Sequence, residues 1–554
     1  MRSFRLRAFL AFALPSLICV SAFADEKPLH QRIDALIEAK ATTAKSPLGK
    51  PIDDATFLRR TSLDFTGRIP SAAETRAFLA DTAADKRTKL IDHLLADPNY
   101  ASRMKDLFHV MLMERRGEDP NWTRFLETSF AENKPWDRMV AEMLFANTDD
   151  EKTRGAAFFQ TKRLEKYGQN ATDFPGLTRD VARLFLGVDL QCAQCHDHPS
   201  IDDYKQNDFN GLYVVFLNTS IRRNVKFPAI SEKVLAKKLD FVSVFTMDKG
   251  ATGPRLPFGM EVEIPVFKKG EEYSTPPDRK AKTPGVLKFS PLKVLSERMP
   301  RPETRRFSKN IANRLWFAMM GRGIEHPLDL ANSENPPSHP ELLDLLADEM
   351  ASHAYDIKWL LHELALTKTY QRSSRMPEGV ERSNDKLFTV SIERRLTADQ
   401  VLISMLTATG ELKRIQARKP AEKSKEDAPA EDAPEADLTF DEIRKEFIAA
   451  FGNTPREPEV EFAPSLRSAL FISNGDILLD LLQPRDGNLV DRLAKTTDAN
   501  AFAEEAYLSV LTRLPTDEER KAVTEYLAKQ ADRTKAARNL AWSLLASTEF
   551  CVNH

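Results

Sequence analysis

Glycine is scarce in this chain, with 20 residues in 554. That is about half the usual share, which disfavours a turn-dense all-β fold and leans towards helices. There are 4 cysteines, far too few for a disulfide-built scaffold. Neither sign of charge dominates: 80 Lys and Arg stand against 82 Asp and Glu, a formal net charge of -2. Such a chain has no global electrostatic reason to seek nucleic acid. No apolar run beyond the first residues is long enough to cross a bilayer. With 42% hydrophobic and 29% charged residues, wholesale disorder is excluded, and the length suits two or three domains.

The first 24 residues read as a secretory signal peptide. Arg2, Arg5 and Arg7 form a positive start, residues 8–20 are apolar, and Ala22-Phe23-Ala24 supplies a small-x-small cleavage pattern. Bulky Ile18 before Cys19 argues against a lipidation signal. The expectation is an exported protein, periplasmic or at the cell surface, with no transmembrane segment once the leader is removed.

Beyond it the chain reads as mainly α and multi-domain, with a small β-rich insertion between two helical domains. Residues 25–221 carry helical periodicity in stretches such as 85–95, 103–116, 136–145 and 178–186. Ser71 with Glu74 forms a capping box behind Pro70. Residues 222–289 change character: 241–245 and the alternating 261–267 predict strands, punctuated by Gly250, Gly253 and Pro257. Residues 290–554 return to helices, at 307–320, 342–350, 357–366, 398–406 and 440–451, with a helical pair over 501–550. A second capping box is expected at Ser338 and Glu341. Residues 418–438, rich in Lys, Glu, Asp, Ala and Pro, read as an acidic linker or loop. An internal echo joins Arg68-Ile69-Pro70-Ser71 and Glu74 to Arg513-Leu514-Pro515-Thr516 and Glu519.

One motif carries chemistry. Cys192-Ala193-Gln194-Cys195-His196 is C-x-x-C-H, the pattern of covalent haem attachment. Two thiols at this spacing reach two vinyl groups on one porphyrin edge, and the next residue supplies an axial imidazole. Haem c is therefore the leading cofactor, bound by Cys192 and Cys195, with His196 as the iron ligand. Two alternatives stay open. Cys192, Cys195, His196 and His198 are also the right residue types for zinc, with His198 a further candidate ligand. The pair can equally form a redox dithiol or a disulfide in an oxidising compartment. Met104, His109, Met111, Met299 and Met376 are the distal candidates, and none is singled out. Nucleophile-elbow, phosphate-loop and H-E-x-x-H patterns are missing, so no catalytic residue is assigned and enzymatic activity is left open. Arg314, Trp316 and Arg322 are further residues able to line a pocket.

The segment Leu186-Gly187-Val188-Asp189-Leu190-Gln191 runs directly into CAQCHDHP at 192–199, and Asp208-Phe209-Asn210-Gly211-Leu212 follows. With the upstream RRTSLDFTG at 59–67 and LLADPNY at 94–100, this closely resembles the planctomycete-type cytochrome c-like (PSCyt) domain of unknown function. NIANRLW at 310–316, GRG at 321–323, NPPSHPELL at 335–343, TYQRS at 369–373 and the closing Glu549-Phe550 and Asn553-His554 resemble its companion C-terminal PSD domain. The one local departure is Ser200-Ile201-Asp202-Asp203-Tyr204, where the family commonly has an aromatic residue and then Trp. The resemblance implies an exported bacterial protein of unknown function. The leading expectation is a c-type haem protein in electron transfer or redox chemistry with an extracytoplasmic partner. The rival is a haem-free binding or scaffold protein whose C-x-x-C-H is a disulfide or metal clamp.

Overall fold

A computed structural model describes residues 27–166, 168–278, 280, 283–376, 378–419, 438–457 and 466–554. The expected leader at 1–24 and most of the expected linker, 420–437, lie outside these residues. Helices dominate, and the sheets among the described residues are small two-stranded hairpins or pairs. No described helix is long and apolar enough to cross a membrane.

Two apolar cores organise the chain. The first draws on helices from Leu29–Thr43 to Gln206–Leu217 and also on Pro291–Arg298, Arg305–Met320, Pro340–Ser352 and Ile357–Leu366. Rings chain through it: Phe108 lies 4.8 Å from Phe130 and 5.3 Å from Trp136, and Phe159 lies 5.1 Å from Phe185. Such offset contacts add to the burial of their large apolar areas. Helices on both sides of the β-rich stretch thus share one interior. The second core is built from Ala398–Thr409, Phe440–Phe451 and the C-terminal helices Ala499–Leu511, Asp517–Ala528 and Arg533–Leu545. The end of the chain therefore holds three helices rather than the expected pair.

Helix Asp54–Thr66 joins the cores and is buried on every face from Phe57 onwards. Phe57 and Phe65 belong to the first core, Leu63 to the second. Its polar residues reach chain segments hundreds of positions away. Arg59 donates to the carbonyls of Phe550 at 2.8 Å and Glu549 at 3.3 Å. Arg60 donates to the carbonyls of His554 and Arg372, both at 3.0 Å, and of Tyr370. Burial lowers both guanidinium pKa values to about 10, and the carbonyl lone pairs replace lost water. Asp64 accepts from Arg394 at 2.8 Å, the Tyr370 hydroxyl at 2.7 Å and Asn553 at 3.0 Å. The short strand Arg394–Arg395 pairs antiparallel with Val552–Asn553 beside it.

Local signals explain many boundaries. The Ser71 and Glu74 capping box forms and opens Ala72–Ala80. Thr516 and Glu519 form the same box at Asp517–Ala528. In both echo segments an arginine, Arg68 or Arg513, donates twice to the capping glutamate. The box expected at Ser338 is not made: the helix Pro340–Ser352 begins after His339, which has no capping hydrogen bond from its side chain. His339 is buried and its Nδ1 meets the Ser338 hydroxyl instead.

The β-rich stretch contributes the hairpins Thr219–Ile221 with Ile230–Glu232, Leu239–Val242 with Lys249–Thr252, and Tyr273–Thr275 with Val286–Leu287. The alternating run 261–267 is not a strand. Pro265 has no amide to donate, and Val266 is almost fully exposed, so neither a ladder nor a packed face forms.

Candidate haem-attachment site

The C-x-x-C-H segment is a surface loop clamped at several points. Helix Phe174–Leu186 ends at Gly187, whose φ of +72° is left-handed. A Cβ there would lie 3.0 Å from the Asn310 amide oxygen, so glycine answers both the turn and the close approach. The Gly187 carbonyl accepts from Ala331 N–H at 2.9 Å, and Val188 bridges Leu330. Leu190 and Ala193 are fully buried and pin the loop from below. Asp189 accepts the Gln191 amide at 2.9 Å, which starts the 3-10 turn Cys192–Gln194. Arg179 holds the Gln194 side chain at 2.6 Å.

This places Cys192 and Cys195 at the two ends of one turn, both exposed and both free thiols. His196 follows, half-buried. Its Nδ1 lies 2.6 Å from the Asp197 carbonyl oxygen. That oxygen can only accept, so Nδ1 carries a proton, and in the neutral ring Nε2 is then the nitrogen that keeps its lone pair. The orienting group is thus the Asp197 main chain; its carboxylate accepts the Gln206 amide at 2.8 Å, at the start of helix Gln206–Leu217. His198 has a different use. Its Nδ1 accepts the amides of Ile201 at 2.9 Å and Ser200 at 3.2 Å. The proton must then sit on Nε2, which leaves no lone pair for a metal in this state. Tyr204, in the segment that departs from the family pattern, is buried and donates to the Ala331 carbonyl at 3.1 Å.

The hairpin Leu239–Val242 with Lys249–Thr252 completes the site, and the sequence did not point to it. Val244 donates its amide to the Cys195 carbonyl at 3.1 Å. The Phe245 ring lies 4.1 Å from the His196 imidazole, tilted 31°. Phe245 is 70% exposed, with Val244 and Met247 exposed beside it. The DFNGL motif anchors the following loop. Asp208 accepts from Arg255 at 2.7 Å and from the Phe258 amide at 3.1 Å. Burial raises the Asp208 pKa. Gly211 donates space: a Cβ there would lie 1.9 Å from Arg255 Cγ.

The residues present fit a c-type haem in three respects. Two free thiols stand at the required spacing, the adjacent imidazole offers an unprotonated Nε2, and Phe245 covers a ring face rather than the in-plane Nε2 direction. Among the described residues no group of three or more His, Cys, Asp or Glu gathers as a metal site would. Of the distal candidates, Met104 and Met299 are core residues and His109 Nδ1 accepts from Trp122 at 3.0 Å. Arg314 lines a cavity of about 110 Å³, where Asp329 and the Arg183 carbonyl hold it. Trp316 is fully buried, edge-on to Phe388.

Two family models match the chain. PSCyt2, a protein of unknown function (DUF1549), covers residues 32–221, and PSD1, a protein of unknown function (DUF1553), covers residues 293–527. No curated protein and no solved structure matches it. Across the two helical parts just described, the chain thus carries the planctomycete-type domain pair of unknown function, PSCyt2 followed by PSD1.

Proposed function

We propose that this is an exported c-type haem protein that passes electrons to an extracytoplasmic redox partner. Cys192 and Cys195 would hold the haem covalently and His196 Nε2 would be the axial ligand. The observation that carries the reading is the His196 tautomer: its Nδ1–H is committed to the Asp197 carbonyl at 2.6 Å, beside two free, exposed thiols. A hydrogen bond at the far nitrogen orients an imidazole ligand and raises its basicity. When bound, haem supplies one-electron redox chemistry. The protein's own part is to present the thiols on one rigid turn and to keep the imidazole in one tautomer. The exposed apolar side chains of Val244, Phe245 and Met247 would border the group.

A haem-free clamp is the second reading. One observation favours it: the loop is already shaped by its own bonds, through Asp189, Val244, Asp197 and Tyr204.

The test is a visible spectrum and a haem stain after denaturing electrophoresis. The chain is exported in a host with haem-attachment machinery, beside a Cys192→Ala/Cys195→Ala variant. A Soret band and a stain that survives denaturation are expected in the wild type and absent from the variant. A colourless wild type from that host, folded by circular dichroism, would overturn the haem reading and leave the clamp.

A further inference from the structure

A second concentration of ionisable side chains lies far from the cysteines in sequence and lines a cavity of about 290 Å³ between the two cores. Helix Pro98–Met113 contributes Arg103, Asp106 and His109; the second core's helices contribute Asp399 and Arg444. Most of these charges are matched. Arg444 donates to Asp399 at 2.8 Å and to Glu118 at 2.7 Å. Trp122 holds His109.

Arg103 is the exception. It is 9% exposed, and among the described residues no hydrogen bond or ion pair reaches its guanidinium. Its Nε is buried without an acceptor. Other buried arginines here end on carbonyls or carboxylates: Arg59 and Arg60 on the chain terminus, Arg163 on Asp180, Arg394 on Asp64. The Arg103 stem runs beneath Gly67, where a Cβ would come within 3.1 Å of its Cδ. Asp64, Asp106 and Asp399 act on it only through space. A buried cation that carboxylates steady only from a distance, with no hydrogen bond to replace its lost water, is expensive to keep.

We propose that this cavity binds a small organic molecule through its carboxylate, with Arg103 as the bidentate anchor and Asp106 as a neighbouring hydrogen-bond partner. The planar guanidinium fork matches a carboxylate, which takes two parallel N–H donors. One negative charge suits the site: Arg444 is paired with Glu118 at 2.7 Å, Arg115 with Asp399 at 3.4 Å and Lys105 with Asp106 at 3.4 Å, which leaves Arg103 as the cation without a match. Burial and the Asp399 carboxylate push the Asp106 pKa up to about 6. Asp106 can therefore take a proton when an anion enters and donate it to the ligand. The volume is that of a site for a small molecule. This inference is independent of the haem reading.

The test uses the full chain with sodium acetate, lactate, benzoate and glucuronate, and benzamide as the uncharged counterpart of benzoate. Saturation-transfer NMR reads binding, and thermal melting reads stability without ligand. At least one carboxylate is expected to bind, with affinity weakened about tenfold or more in Arg103→Met. Unliganded Arg103→Met is expected to melt no lower than the wild type, because an unpaired charge is removed. A structural arginine would not behave so. Ile403→Trp fills the cavity, keeps Arg103 in place, and should also abolish binding; it serves if Arg103→Met misfolds. The proposal fails if no carboxylate binds, if benzamide binds as benzoate does, or if either folded variant binds like the wild type. It also fails if Arg103→Met melts lower than the wild type while binding is unchanged.

Discussion

The indole N–H of Trp122 fixes the charge state of His109. An indole can only donate, so His109 Nδ1 must be bare. Burial accordingly lowers the His109 pKa to about 4. A depressed histidine binds fewer protons folded than unfolded. Its stabilising contribution is complete above the unfolded value of 6.5 and is lost as pH falls through about 4. Asp106 has the opposite sign: its pKa is raised from 3.8 to about 6, so its contribution is complete below 3.8 and lost as pH rises through about 6. Denaturation midpoints measured at pH 7.5 and 5 should separate them. His109→Gln, which keeps an acceptor for the indole, should lose less stability than the wild type on acidification. Asp106→Asn should gain at pH 7.5, by up to about 3 kcal/mol, and gain less at pH 5.

At the scale of elements, the cysteine loop depends on helix Gln206–Leu217 and on the hairpin that packs over it. Gly211 sits inside that helix, where alanine would ordinarily gain about 1 kcal/mol. Here the Arg255 stem occupies the space a Cβ needs. Gly211→Ala should therefore destabilise by about 1–3 kcal/mol, the cost of overpacking. In an Arg255→Ala background the penalty should largely vanish, and a double-mutant cycle by urea denaturation reads the coupling. Equal penalties in both backgrounds would mean that the glycine is needed for another reason.

For the whole molecule, the sharing of the first core is the controlling fact. Leu292, Phe307, Ile311, Leu342 and Leu360 are buried with Phe108, Trp136 and Phe185. A fragment of residues 27–290 would expose that apolar face and leave Arg59, Arg60 and Asp64 without their C-terminal partners. Leaving a buried charge unpaired is severely destabilising, at roughly 3–5 kcal/mol for a broken ion pair such as Asp64 with Arg394, and the two arginines lose their carbonyl acceptors besides. The fragment should lack the near-ultraviolet circular dichroism of the full chain and bind a hydrophobic dye. A fragment with sharp, cooperative melting would refute this.

Helices and their starts were legible because their causes are local: apolar spacing, the Ser71 and Glu74 box, glycine at Gly187. The C-x-x-C-H spacing was legible for the same reason. Phe245 over His196 was not, since it lies about fifty positions downstream on a hairpin that no local pattern ties to the cysteines. The run 261–267 misled because alternation is local, whereas a strand exists only with a partner to complete its hydrogen bonds.

The amino-acid sequence by itself determined the helical class, several helix boundaries, the pair of thiols with its following imidazole, and the family motifs at 59–67, 208–212, 369–373 and the chain end. What those motifs do was decided only by tertiary structure. RRTSLDFTG is a socket for the last residues of the chain, DFNGL is the seat of Arg255, and Arg103 is a cation left without a partner. The physical reason is that a carbonyl, a carboxylate or an empty space acquires meaning from what burial brings beside it, and burial joins residues hundreds of positions apart.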